Sequence, residues 1–183
     1  MNELRPAVFV DRDGTVMEEV GFCSRPEDVR VFSGARESLQ VLRDAGYLLV
    51  VITNQSGIGL GYYSEDQYRA VTAEFERQLE PLQVDAIYFS PDTPDSGSRR
   101  RKPATGMVEE AAATLGIDLA RSFFIGDRTS DVECGRNAGM RTILVETGYG
   151  AKHTECGPDY SVGDITEAVG IILRDGRPGP ARP

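Results

Sequence analysis

Apolar residues along this chain follow two alternating patterns. Short continuous runs of branched and aromatic residues predict buried strands at Ala7–Asp11, Tyr47–Thr53, Val84–Ser90, Ser122–Asp127 and Arg141–Glu146. Between them, helical spacing predicts helices over Gly34–Ala45, Ser64–Glu80, Gly106–Leu115 and Ser130–Ala138, with a last one at Ile165–Leu173. Ser64–Gln67 reads SEDQ, the pattern of a capping box, and Gly46, Gly116 and Gly139 stand where helices would stop. This βαβα rhythm predicts a doubly wound, mostly parallel, Rossmann-like sheet with helices on both faces. No internal repeat or dividing linker interrupts it, so residues 1–175 read as one domain. Residues 176–183, within the Pro-, Gly- and Arg-rich "RDGRPGPARP", read as a disordered tail. The loop Pro91–Pro103, "PDTPDSGSRRRKP", is the other stretch without periodicity.

Composition narrows the function. A chain of 183 residues that is 40% hydrophobic can bury a sizeable core. Its net charge of −9 would repel a polyphosphate, so no nucleic-acid partner is expected, although a local basic patch could grip one or two phosphates. Three cysteines, an odd number with no Cys-x-x-Cys pair, read as reduced thiols. The N-terminus lacks the apolar stretch of a signal peptide and "LLVVI" is too short for a bilayer, so a cytoplasmic protein with no membrane partner is expected. The single histidine, His153, lies in a polar loop, and no G-x-S-x-G elbow is present, which argues against a Ser–His–Asp hydrolase.

The polar residues that end the strands form a set. "VFVDRDGTV" delivers Asp11 and Asp13 on the same side of an extended chain, just before a turn at Gly14. "LLVVITNQSG" delivers Thr53, Asn54, Gln55 and Ser56; "RRRKP" brings Arg101 and Lys102; "FFIGDRTSD" ends in Asp127, with Arg128 and Asp131 following. Open α/β sheets bind ligands at this carboxyl edge. Three carboxylates from two strand ends could hold a hard cation such as Mg2+ through oxygen, and a hydroxyl and a lysine could donate to phosphate oxygens.

The order DxDGT, hydrophobic-Thr, Lys, GDxxxD resembles the haloacid dehalogenase-like phosphohydrolases over nearly the whole chain, to about Glu146. Within them, "FVDRDGT", "TNQSG", "RKP" and "GD" look like the group of heptose bisphosphate and histidinol-phosphate phosphatases. The resemblance implies that Asp11 is a nucleophile forming an aspartyl-phosphate, and that Asp13 is the general acid and base. Repulsion raises the pKa of one member of such a pair, and Asp13 fits the protonated role. Asp11, the Asp13 carbonyl and Asp127 would be the Mg2+ ligands. Thr53 and Lys102 would hold the phosphoryl group, with Asp131 orienting Lys102 or the metal site. Glu19, Val20, Gly21, Phe22, Asn54, Gln55, Ser56, Arg101 and Arg128 would contact substrate.

One part of the group's pattern is missing. Its zinc loop carries Cys-x-His and Cys-x-Cys, whereas Ser90 and Asp92 stand at the first pair and none of the cysteines falls in the loop, so no zinc is expected. Arg99, Arg100 and Arg101 in its place could favour a second phosphate. Neither gap between motifs has room for a large cap domain. The implied substrate is a small phosphorylated sugar, foremost a heptose 1,7-bisphosphate losing its 7-phosphate, with histidinol phosphate as the alternative and a monomer as the default. A phosphoacceptor receiver domain would share the acidic pocket and lysine, but would carry its aspartate on the third strand.

Overall fold

In a computed structural model, which describes residues 4–176, six strands form one all-parallel sheet. They are β1 (Ala7–Val10), β2 (Leu48–Asn54), β3 (Ala86–Ser90), β4 (Phe123–Gly126), β5 (Arg141–Val145) and β6 (Tyr160–Val162), in the order β3-β2-β1-β4-β5-β6. The helices are α1 (Ala35–Asp44), the single turn α2 (Ser56–Gly59), α3 (Glu65–Leu79), α4 (Gly106–Leu115), α5 (Thr129–Asn137) and α6 (Ile165–Asp175). The five predicted strands and five predicted helices are all present, within two residues at each end. Additions are β6, three residues long and half exposed at the sheet edge, and α2. The tail expected from 176 onward lies, apart from Gly176, outside the described residues.

Strand periodicity sorts the core into two layers. Val8, Val10, Leu49, Val51, Phe123 and Ile125 pack with Leu39 and Leu42 of α1, Phe75 and Leu79 of α3 and Val169 and Ile172 of α6. The alternate residues Ala7, Phe9, Val50, Ile52 and Phe124 pack with Met107, Val108 and Ala111 of α4 and Cys134 of α5. The sheet is therefore covered on both faces, and the side chains that must stay polar collect at its carboxyl edge. Among the described residues no inserted domain separates the motifs, and no helix is long and apolar enough to cross a membrane.

Helix ends follow local chemistry. Ser64 accepts from Gln67 N at 3.2 Å while Gln67 Oε1 accepts from Ser64 N at 2.9 Å, the reciprocal pair expected of SEDQ. Asp164 caps α6 through Thr166 N and Glu167 N. Gly116 ends α4 with φ +66°, a conformation that costs a side-chain-bearing residue.

Candidate active site

The central strand β1 lies between β2 and β4, where the chain reverses its direction of progress through the sheet. Its ladder extends one residue further, with Asp11 N donating to Ile125 O at 2.9 Å. The chain then curls: Val16 N and Met17 N both donate to Arg12 O, at 3.0 and 3.1 Å, and Gly14 adopts φ +83°. A Cβ on Gly14 would stand 2.3 Å from Asp127 Oδ2, and one on Gly148 equally close. Two glycines thus let main chain close around the Asp127 carboxylate.

Lys102 is the hub of the site. Only 3% exposed, it places its Nζ 2.7 Å from Asp11 Oδ1, 2.6 Å from Asp131 Oδ1 and 2.8 Å from the Ile52 carbonyl. Burial alone would depress the lysine pKa, but Asp11 and Asp131 outweigh it and hold the ammonium firmly charged. The Lys102 main chain is fixed by Asn54, which donates from Nδ2 to Lys102 O at 3.1 Å and accepts from Lys102 N at 3.0 Å.

The carboxylates outnumber this cation. Burial raises Asp11 well above the usual carboxylate range, with Lys102 opposing and Asp131 and Asp127 adding repulsion. Burial, with repulsion from Asp131, pushes Asp127 up to about 7. The pressure to retain a proton thus falls on Asp127 and on Asp11, so within the Asp11–Asp13 pair it bears on the expected nucleophile, contrary to the expectation from repulsion alone. The repulsion expected between Asp11 and Asp13 is offset by a residue to which the sequence assigned no role. Arg12, fully buried, forks onto Asp13 with Nε 3.0 Å from Oδ2 and Nη2 3.1 Å from Oδ1. Its guanidinium also faces the Tyr68 ring at 5.5 Å.

A cleft of about 360 Å3 opens above these groups. Asp11, Asp13, Thr53, Asn54, Gln55, Ser56, Arg101, Lys102 and Asp131 line it, with Glu19, Gly21, Phe22 and Arg128 at its walls. Glu19 and Arg128 are joined by an ion pair at 3.0 Å, and Arg128 stacks on Tyr149 at 4.1 Å. Val20, expected among the substrate contacts, instead lies outside this lining and is 46% exposed. Tyr63, Ser130 and Tyr149 join the lining without having been anticipated; "GYYS" and "TGYG" carry no local pattern that would single out a tyrosine.

The arginine run divides. Arg99 pairs with Glu109 at 3.3 Å and Arg100 with Glu110 at 3.1 Å, both on α4 and outside the cleft. The second-phosphate role expected for these two is therefore not supported by their placement; Arg101 alone turns inward. Burial and the nearby Arg128 lower the Arg101 pKa, with Asp92 opposing. Where the zinc pair would begin, Ser90 donates to Asp92 Oδ2 at 2.8 Å, and Arg101 reaches back to the Asp92 carbonyl at 3.0 Å. Hydrogen bonds and ion pairs thus hold the stretch from Ser90 to Arg101.

A hard divalent cation fits the carboxylate set. Asp11, Asp127 and Asp131 can each bring an oxygen within 4.8 Å of the others. Asp131 is engaged, by Lys102 and by Arg128 N at 3.0 Å. Asp127 Oδ1 is buried with no hydrogen-bond partner among the described residues. An orphan carboxylate oxygen next to a second carboxylate is the kind of site that Mg2+ satisfies.

Fold and site together define a class: an α/β enzyme that handles an anion beside clustered carboxylates at a topological switch point. The HAD-hydrolase-like family model matches residues 99–168. A D-glycero-D-manno-heptose-1,7-bisphosphate 7-phosphatase of Thermosynechococcus vestitus is 38% identical, covering 90% of this chain and 94% of the relative. A D-glycero-beta-D-manno-heptose-1,7-bisphosphate 7-phosphatase of Haemophilus ducreyi is also 38% identical, covering 79% of this chain and 85% of the relative. The crystal structure of a heptose bisphosphate phosphatase from B. bronchiseptica, complexed with magnesium and phosphate, superposes with TM-score 0.85 at 30% identity, covering 92% of this chain and 98% of that one. The chain belongs to the haloacid dehalogenase-like phosphatase family, whose phosphatases hydrolyse phosphate esters and use Mg2+.

Proposed function

We propose that this protein is a Mg2+-dependent phosphatase that removes the 7-phosphate of D-glycero-D-manno-heptose 1,7-bisphosphate through an aspartyl-phosphate on Asp11. The observation that carries the reading is the buried Asp11–Lys102–Asp131 cluster facing the cleft, beside the orphan oxygen of Asp127. Asp11 attacks phosphorus, and the bond from phosphorus to the C7 oxygen breaks. Asp13 gives its proton to that oxygen. Asp13 then takes a proton from the water that attacks the phosphoryl-aspartate, which releases phosphate and restores Asp11. Lys102 and the Thr53 hydroxyl hold the phosphoryl oxygens. Asp11, Asp127 and the Asp13 carbonyl would hold Mg2+, which supplies charge neutralisation between the carboxylates and the phosphoryl group.

In this reading Arg101, Arg128, Glu19, Gly21, Phe22 and Ser56 form the sugar-facing wall. Arg101 has no carboxylate partner within ion-pair distance among the described residues; Nη1 donates to the Asp92 carbonyl, which leaves the other guanidinium donors for an anion. Residues 1–175 act as one phosphatase domain, working as a cytoplasmic monomer without zinc. The hydrogen bond from Ser90 to Asp92 supports the last point, since it takes the place of a ligand pair.

The test is phosphate release with Mg2+ from the α- and β-heptose 1,7-bisphosphates and from histidinol phosphate. Relatives named for the α anomer and for the β anomer are both 38% identical to this chain, so each sugar is assayed. Preference for one heptose bisphosphate, lost in Asp11→Asn, is the expected result. Equal slow release from all three would overturn the heptose assignment.

A further inference from the structure

Gln55 reads from the sequence as a substrate contact, yet its amide is spent inside the protein. It is 5% exposed. Its Nε2 donates to Asp13 Oδ2 at 2.9 Å and to Thr53 Oγ1 at 2.8 Å, and its Oε1 accepts from the Tyr63 hydroxyl at 2.6 Å. The amide can face only one way: turned over, it would set Oε1 against the Asp13 carboxylate. Tyr63 holds that orientation as a donor, and burial pushes its hydroxyl pKa up to about 12. Its ring is wedged over Gly57, where a Cβ would stand 2.1 Å from Cε1.

The two oxygens of Asp13 are treated differently. Oδ2 faces Arg12 Nε at 3.0 Å, Gln55 Nε2 at 2.9 Å and the Thr53 hydroxyl at 3.4 Å. A carboxylate oxygen has two in-plane lone pairs, so Oδ2 is saturated. Among the described residues Oδ1 meets only Arg12 Nη2, at 3.1 Å, a nitrogen that also lies 3.0 Å from Oδ2. We infer that Tyr63 and Gln55, with Arg12 on the far side, are positioning residues that clamp Oδ2 of Asp13 and leave Oδ1 as the oxygen presented to the leaving group. This rests on the phosphatase reading, because it concerns the group that serves the departing alcohol.

The experiment compares a heptose bisphosphate with dinitrophenyl phosphate, whose leaving group departs without a proton. General acid help is worth roughly 10²–10⁴-fold for an alkoxide leaving group and far less for an activated aryl oxide. Tyr63→Phe deletes one hydroxyl and keeps the ring; Gln55→Leu deletes the amide. Both variants are expected to lower kcat/KM on the sugar phosphate, which reports only the half-reaction that expels the leaving group, by roughly 3- to 30-fold, a fraction of what loss of the acid itself would cost. KM on the sugar phosphate should hold within about twofold, and the loss of kcat/KM on dinitrophenyl phosphate should be several times smaller. A raised KM with unchanged kcat would make Gln55 a substrate contact and overturn the inference. Equal losses of kcat/KM on the two esters, or no loss on either, would overturn it as well. Tyr63→Phe remains decisive if Gln55→Leu fails to fold. Wild-type protein inactive on both esters would instead overturn the phosphatase reading itself.

Discussion

Lys102 shows how much one side chain can carry. Among the described residues it is the one ammonium beside three buried carboxylates, at 2.7 Å from Asp11 and 2.6 Å from Asp131. Breaking a buried pair leaves charge uncompensated, which typically costs about 3–5 kcal/mol. Lys102→Met should therefore lower metal-free stability in urea unfolding near neutral pH by roughly that amount, with part of the loss recovered on adding Mg2+. The raised pKa of Asp127 gives a second prediction. A carboxylate whose folded pKa lies above its unfolded value, here about 7 against 3.8, stabilises the fold at low pH and loses that contribution as pH rises through about 7. The metal-free melting temperature should accordingly fall across this range, and the shift produced by Mg2+ should grow, because the cation displaces protons. A Mg2+ shift that is flat with pH would contradict the burial of Asp127 among like charges.

What was legible at this scale depended on geometry that a strand imposes. Asp11, Thr53 and Asp127 stand at strand ends, so their arrival at one edge follows from the alternation of elements. Lys102 follows a loop past the third strand, which marked it as a phosphate donor of the set, while its role beside Asp131 rested on the resemblance. Asn54, Gln55 and Arg12 were harder. Each finds its partner on a distant element or across a tight curl: Lys102 main chain for Asn54, Asp13 and Tyr63 for Gln55, Asp13 and Tyr68 for Arg12. Nothing in the spacing of "TNQS" says which amides look outward.

Among the elements, α3 is the most fully specified by its own sequence. The capping box starts it, and Val71, Phe75 and Leu79 give it one apolar face that reaches the core. Phe75→Ala should cost about 3–5 kcal/mol in chemical denaturation, since the ring is fully buried. Ser64→Ala should cost about 1 kcal/mol. Strand β6 escaped notice because three half-exposed residues, Tyr160–Val162, carry too little periodicity to register. The stretch Pro91–Pro103 also had no readable period, and its order comes from side chains: Ser90 on Asp92, and two arginines on the glutamates of α4. Asp92→Ala should speed amide exchange across 91–100 while leaving the sheet protected; unchanged exchange would mean that Asp92 does not tie the loop.

At the scale of the whole molecule, the parallel sheet brings Asp11 from β1, Thr53 from β2 and Asp127 from β4 to one edge, where β1 sits between its neighbours. The chain as a whole is acidic at −9, yet the cleft wall carries Arg101 and Arg128 above the carboxylates. That polarity suits an anionic substrate drawn to a cation-loaded site. The central claim is that Asp11 carries the phosphoryl group between the two halves of the reaction. The most direct test is acid quench during turnover of a heptose 1,7-bisphosphate with Mg2+, followed by peptide mass analysis. The account predicts a phosphoryl group on the peptide holding Asp11, absent from Asp11→Asn, which should also lose turnover by roughly 10⁴-fold or more. Turnover that persists in that variant, or a phosphoryl group trapped on another residue, would contradict it.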